Sequence, residues 1–63
     1  MLSIVKNNET SSKCFSNYLI IRNGEVIASA ILTHNSNNIE VFKKYDRNIS
    51  SEEYEFIINN IRH

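Results

Sequence analysis

No proline and no tryptophan occur among the 63 residues, glycine and cysteine occur once each, and seven lysines and arginines are balanced by seven aspartates and glutamates. Each scarcity narrows the field. A lone cysteine, Cys14, has no partner for an internal disulfide, so the chain must fold on apolar packing alone and a reducing, cytoplasmic setting is expected. Charge balance removes the basic field of a dedicated nucleic-acid binder and equally the acidic field of a nucleic-acid mimic. No apolar run approaches the ~18 residues of a membrane span, and residues 1–9 (MLSIVKNNE) lack the long apolar segment of a signal peptide, so no membrane role is expected. A chain this short buries only roughly 60% of the surface it exposes when unfolded. We therefore expect one small domain, residues 1–63, without a deep substrate cleft.

What the chain does have is asparagine and isoleucine, ten of each, the composition that an AT-rich genome tends to impose. Such a short reading frame suits a bacteriophage or another mobile element, whose small proteins commonly act by binding, and often inhibiting, a host component. The hydrophobic fraction of 41% and charged fraction of 22% are those of a globular chain rather than a disordered one. Asn8-Glu9-Thr10 and Asn48-Ile49-Ser50 match the glycosylation sequon, but among ten asparagines such matches arise by chance.

Residues 15–32 (FSNYLIIRNGEVIASAIL) organise the rest. Two apolar runs rich in β-branched residues flank Asn23-Gly24, a pair suited to a two-residue hairpin turn with positive φ. A regular hairpin about that turn pairs Ile21 with Val26, Ile20 with Ile27, Leu19 with Ala28 and Phe15 with Leu32. Alternation then predicts a core face of Phe15, Leu19, Ile21, Val26, Ala28, Ala30 and Leu32. The opposite face collects Tyr18, Ile20, Ile27 and Ile31 beside Ser16, Arg22, Glu25 and Ser29.

Residues 1–6 (MLSIVK) read as a short edge strand and residues 7–12 (NNETSS) as a loop. After the polar loop at residues 35–38 (NSNN), residues 39–45 (IEVFKKY) alternate as a further strand, with Val41 expected opposite Leu32 and Phe42 opposite Ile31. That register adds Ile39, Val41 and Tyr45 to the core face and Phe42 to the other.

The last segment is marked as a helix at both ends. Ser50 and Glu53 form an S-x-x-E capping box, Ile49 can pack onto Tyr54 across the cap, and Glu52 and Glu53 favour the positive end of the helix dipole. Tyr54, Ile57, Ile58 and Ile61 follow as one apolar stripe, with Arg62 and His63 as positive charge at the far end. About three helical turns are marginal alone in water, so the stripe must pack on the sheet. The predicted fold is α+β: a three- or four-stranded antiparallel meander with one C-terminal helix across one face.

Site chemistry is sparse. Only His34 and His63 could serve as bases, and the expected register sets Cys14 opposite Thr33 with His34 pointing to the other face, which disfavours a Cys14–His34 dyad. No C-x-x-C or H-x-x-x-H spacing offers a metal site, and no cofactor motif is present, so neither metal nor cofactor is expected. Glu52, Glu53 and Glu55 are explained by the start of a capped helix. The expectation is a non-enzymatic protein-binding module, with Tyr18, Ile20, Ile27, Ile31 and Phe42 as the contact face, a host protein or a second copy as partner, and Phe56 as an additional contact. The alternative is a small nucleic-acid-binding regulator using Lys43, Lys44 and Arg47, joined by Lys6, Lys13 and Arg22 if the strands gather them.

Overall fold

A computed structural model describes residues 1–62; His63, named above as a helix-end charge and a potential base, lies outside the described residues. Four strands, β1 (Leu2–Asn7), β2 (Phe15–Arg22), β3 (Glu25–Thr33) and β4 (Asn38–Lys43), form one antiparallel sheet in the order β1-β2-β3-β4. One helix, α1 (Ser51–Ile61), follows them. The α+β meander expected from the sequence is therefore present, with four strands.

The β2–β3 turn falls at Asn23-Gly24. Both residues have positive φ, 53° and 81°, the backbone that a two-residue turn needs to match the twist of its strands. Arg22 faces Glu25 and Ile21 faces Val26, as a regular hairpin requires. Beyond that point the pairing shifts by one residue: Ile20 faces Ala28, Leu19 faces Ser29, Tyr18 faces Ala30 and Phe15 faces Thr33. Ile27 is the extra residue of a β-bulge, so Ile27 and Ala28 together oppose Ile20.

This bulge corrects the expected division of faces. Side-chain direction has a period of two along a strand, so one inserted residue exchanges which β2 residues share a face with a given set on β3. The core contains Ile20, Ile27, Ala28, Ala30, Ile57 and Ile61, with Leu2, Ile4, Tyr18, Leu32, Ile39, Val41 and Ile49 packed against it. Ala28, Ala30 and Leu32 thus stay on the helix side as expected. Leu19, Ile21 and Val26 do not, and Tyr18, Ile20 and Ile27 take their place; Phe15, opposite Thr33, also leaves the core face.

The β3–β4 register is corrected as well, by two residues. Val41 lies opposite Ala30, Ile39 opposite Leu32, Glu40 opposite Ile31 and Phe42 opposite Ser29. The loop is residues 34–37, with Asn37 in the left-handed region at φ 55°, one residue earlier than the polar run suggested. A shift of two preserves parity, so Ile39 and Val41 still face the helix and Phe42 still faces away. Tyr45, expected in the core, is instead 96% exposed. It lies beyond both the last β4 pair and the Lys44–Ile27 backbone bond that carries the ladder one residue further, where alternation no longer governs its direction.

The capping box forms as read: the Glu53 N–H donates to Ser50 Oγ at 3.1 Å, and the Ser50 N–H donates to Glu53 Oε1 at 3.1 Å. Ile57 and Ile61 are the buried members of the stripe, Ile58 is half-buried, and Tyr54 lies on its rim, exposed. Phe56, off the stripe, is exposed. Arg22 Nη1 donates to both carboxylate oxygens of Glu53 at 3.1 Å and to the Asn48 carbonyl at 3.2 Å, tying the start of the helix to the end of β2.

Candidate interaction surface

One side of the sheet is covered by α1; no element among the described residues lies across the middle of the other. Cross-strand register sets the open side in rows. Val5, Leu19, Ser29 and Phe42 make one row, Ser3, Ile21 and Val26 the next towards the hairpin, and Asn7, Asn17, Ile31 and Glu40 the next away from it. Apolar side chains therefore occupy the centre, polar ones the rim. Phe42 and Val5, at the two ends of the central row, are 51% and 48% exposed, while Leu19, Ile21, Val26 and Ile31 are half-buried by their sheet neighbours. A shallow pocket of about 170 Å³ opens beside Phe42, lined by Val26, Ser29 and Lys44 among others.

The residues expected to form the contact face divide. Ile31 and Phe42 lie on the open side. Ile20 and Ile27, at 0% and 1% exposure, lie under the helix and present no surface, while Tyr18, half-buried, packs on that side rather than on the open one. Sequence reasoning missed Val5, Leu19, Ile21 and Val26. Their β-branched and leucine side chains qualify equally for a core or a patch, and only the bulge decides between them.

One corner of the open side is held by the loop at residues 8–14. The Asn17 N–H donates to Ser11 Oγ at 3.0 Å, and Asn17 Nδ2 donates to Thr10 Oγ1 at 3.0 Å. The Asn17 row end is thereby polar and occupied by the chain's own loop.

The basic run is less available than its sequence suggests. Arg47 Nη2 donates to Glu25 Oε2 at 2.6 Å and its Nη1 is 3.1 Å from Asp46 Oδ2. The bond to Arg47 holds the Glu25 carboxyl below the usual glutamate range, and the same bond to Glu25 raises the guanidinium's pKa further. Lys43 and Lys44 form no ion pair among the described residues. They sit on opposite faces of the same strand end, since Lys43 pairs with Ala28 on the helix side and alternation sends Lys44 to the other. Arg22 is committed to Glu53. Lys6 is opposite Tyr18 on β1, at the far edge from Lys43, so the strands do not gather the cations.

Other polar groups meet where β2 begins and β3 ends. Cys14 is exposed, and its carbonyl accepts from the His34 N–H at 2.9 Å. The His34 ring bonds elsewhere: Nδ1 lies 2.8 Å from the Lys13 carbonyl, Nε2 lies 2.8 Å from Ser16 Oγ. A carbonyl can only accept, so Nδ1 carries a proton, and in the neutral ring Nε2 then accepts from the serine hydroxyl. Serine, imidazole and an orienting carbonyl in this order match the geometry of an activated nucleophile. Ser16, however, is 4% exposed and lines neither the pocket beside Phe42 nor one of about 300 Å³ lined by Leu32, Ser36, Asn37 and Arg62. The bonds of the His34 ring join β2, the β3 end and the loop at Lys13.

Among the described residues no three histidine, cysteine or carboxylate groups converge as a metal site. Glu53 is held ionised chiefly by the Ser50 backbone N–H and then by Arg22, both of which lower its pKa. No helix among the described residues is long and apolar enough to cross a membrane. Comparison with protein-family models, curated proteins and solved structures finds no match to this chain.

Proposed function

We propose that this chain is a small non-enzymatic protein-binding module that docks the open face of its sheet, centred on Leu19, Ile21, Val26, Ile31 and Phe42, onto another protein. The observation that carries the reading is an apolar sheet face, polar at its rim, with no covering element among the described residues. The chain's composition, rich in asparagine and isoleucine, favours a phage or mobile-element origin, in which docking on a host protein would inhibit that protein. An exposed free thiol at Cys14 suits a reducing cytoplasm.

The reading is tested on β2, away from both sheet edges. Leu19→Ser combined with Ile21→Asp is expected to abolish capture of a partner from a bacterial lysate while leaving the far-ultraviolet circular dichroism spectrum unchanged. A wild-type chain that captures nothing the folded variant fails to capture refutes it. The nucleic-acid reading is weaker, since Arg47 is neutralised by Glu25 and Asp46 and the lysines diverge. A titration against DNA at two salt concentrations separates the two, because phosphate contacts impose a steep salt dependence and an apolar interface does not.

A further inference from the structure

A four-stranded meander does not close, so β1 and β4 are both edges whose outward backbone groups lack strand partners. The direction of those groups on β4 is fixed by one bond: the Lys44 N–H donates to the Ile27 carbonyl at 2.9 Å. Backbone groups alternate along a strand, so Lys44, Phe42 and Glu40 turn theirs towards β3, and Lys43, Val41 and Ile39 turn theirs outwards. The edge carries no proline and no bulge, the usual devices that block such a row.

We infer that this edge pairs with β4 of a second copy of the chain, antiparallel, with Phe42 on the two-fold axis and Glu40 of each copy facing Lys44 of the other. The inference deepens the protein-binding reading by naming one partner, and it rests on the β4 edge rather than on the open face.

Symmetry and charge select the register. A two-fold axis perpendicular to the sheet is the operation that joins two identical edges antiparallel, and it places both helices on the same side. The axis then passes through one residue of β4, and neighbours at equal distances on either side face each other. With Glu40 on the axis, two carboxylates oppose each other directly. With Val41 there, Glu40 meets Phe42 and Ile39 meets Lys43. With Lys43 there, two ammonium groups coincide and Glu40 meets Asp46. Phe42 on the axis brings two Glu40–Lys44 pairs into cross-strand contact and sets no like charges together.

The backbone agrees with that choice. Val41 and Lys43 then face each other as hydrogen-bonded pairs, both of them residues whose groups turn outwards, while Phe42 meets its copy as a non-hydrogen-bonded pair, the closer of the two spacings for side chains. On the helix side the methylene stem of each Lys43 lies against the half-buried Val41 of the other copy. Neither Glu40 nor Lys44 has an ion-pair partner within the chain among the described residues, so neither must be released.

The β1 edge has no such solution. The Asn23 N–H donates to the Met1 carbonyl, so Leu2, Ile4 and Lys6 turn their groups outwards. Ile4 on a two-fold axis sets Leu2 against Lys6, Val5 there sets Ile4 against Lys6, and Lys6 there sets two ammonium groups together. No carboxylate falls opposite a cation. The β4 pairing makes one eight-stranded sheet in which two open faces become continuous across the Phe42 pair.

Sedimentation equilibrium over a concentration series tests this. The wild-type chain is expected to reach twice its 7.3 kDa mass. Glu40→Lys and Lys44→Glu should each weaken the dimer by about tenfold or more, since two attractive cross-strand pairs become repulsive, and the combined exchange should restore it. Lys43→Pro, which removes an outward N–H from an exposed position, should give a folded monomer. A wild-type monomer at about 1 mM, a near-millimolar Kd at best, would overturn the inference. So would assemblies larger than a dimer, single charge reversals without effect, or an exchange that fails to restore pairing. These outcomes leave the open-face reading intact, because Leu19 and Ile21 lie on β2 and their variant is read by capture rather than by mass.

Discussion

Three consecutive residues, Val26, Ile27 and Ala28, carry the sharpest test of the fold. A regular hairpin turns Val26 inwards and Ile27 outwards; the bulge does the reverse, leaving Val26 half-buried on the open face and Ile27 at 1% exposure under the helix. Ile27→Ala removes a fully buried side chain and leaves a cavity, which costs about 2–5 kcal/mol. A chain of 63 residues has a total stability of about 3–9 kcal/mol at roughly 0.05–0.15 kcal/mol per residue. The substitution therefore removes between roughly a fifth of the stability and all of it. Val26→Thr keeps the β-branched shape on a solvent-accessible face and should cost under about 1 kcal/mol. In urea, with a slope of about 1 kcal/mol/M for so small a domain, Ile27→Ala should lower the unfolding midpoint by about 2–5 M and Val26→Thr by less than about 1 M, followed by circular dichroism. Equal shifts, or a larger one for Val26→Thr, would refute the bulge and with it the assignment of the two sheet faces.

Removing the His34 ring strands the buried Ser16 hydroxyl, so His34→Ala should destabilise by about 1–3 kcal/mol in the same assay, and adding Ser16→Ala should recover part of the loss. Stability should also fall in acid. Glu25 and Glu53 titrate lower in the folded chain than in the unfolded one, so the unfolded state binds more protons as pH drops through the carboxylate range. Their contribution is fully present above the unfolded value of about 4.3 and is lost as pH falls through the folded values. Thermal melts at pH 7 and pH 3 check the sign, and Arg22→Met should reduce the Glu53 share of the difference.

Local chemistry was enough for the elements themselves. Asn23-Gly24 fixed a reversal because its backbone needs positive φ, Ser50 and Glu53 fixed a helix start because their side chains satisfy its free N–H groups, and the isoleucine spacing fixed the buried stripe. These are interactions among residues a few positions apart, which a sequence displays directly. The antiparallel pairing of β2 with β3 and of β3 with β4 was legible from the turn and the polar loop, whereas β1 read only as an edge strand.

The candidate site was half legible for one reason. Ile31 and Phe42 were placed on the open face by alternation, and the two-residue error in the β3–β4 register did no harm because it preserved parity. Tyr18, Ile20 and Ile27 were misplaced because the one-residue bulge did not. No turn or breaker residue marks that bulge: Val26-Ile27-Ala28 reads as ordinary strand. It exists because two neighbouring side chains, Ile27 and Ala28, can both be buried with Ile20 against Ile57 and Ile61, residues about thirty positions later in the chain. The sequence by itself determined a three- or four-stranded meander, a turn and a capped helix; that there are four strands, and which side of the hairpin faces that helix and which is left open, were decided only when the helix packed on the sheet.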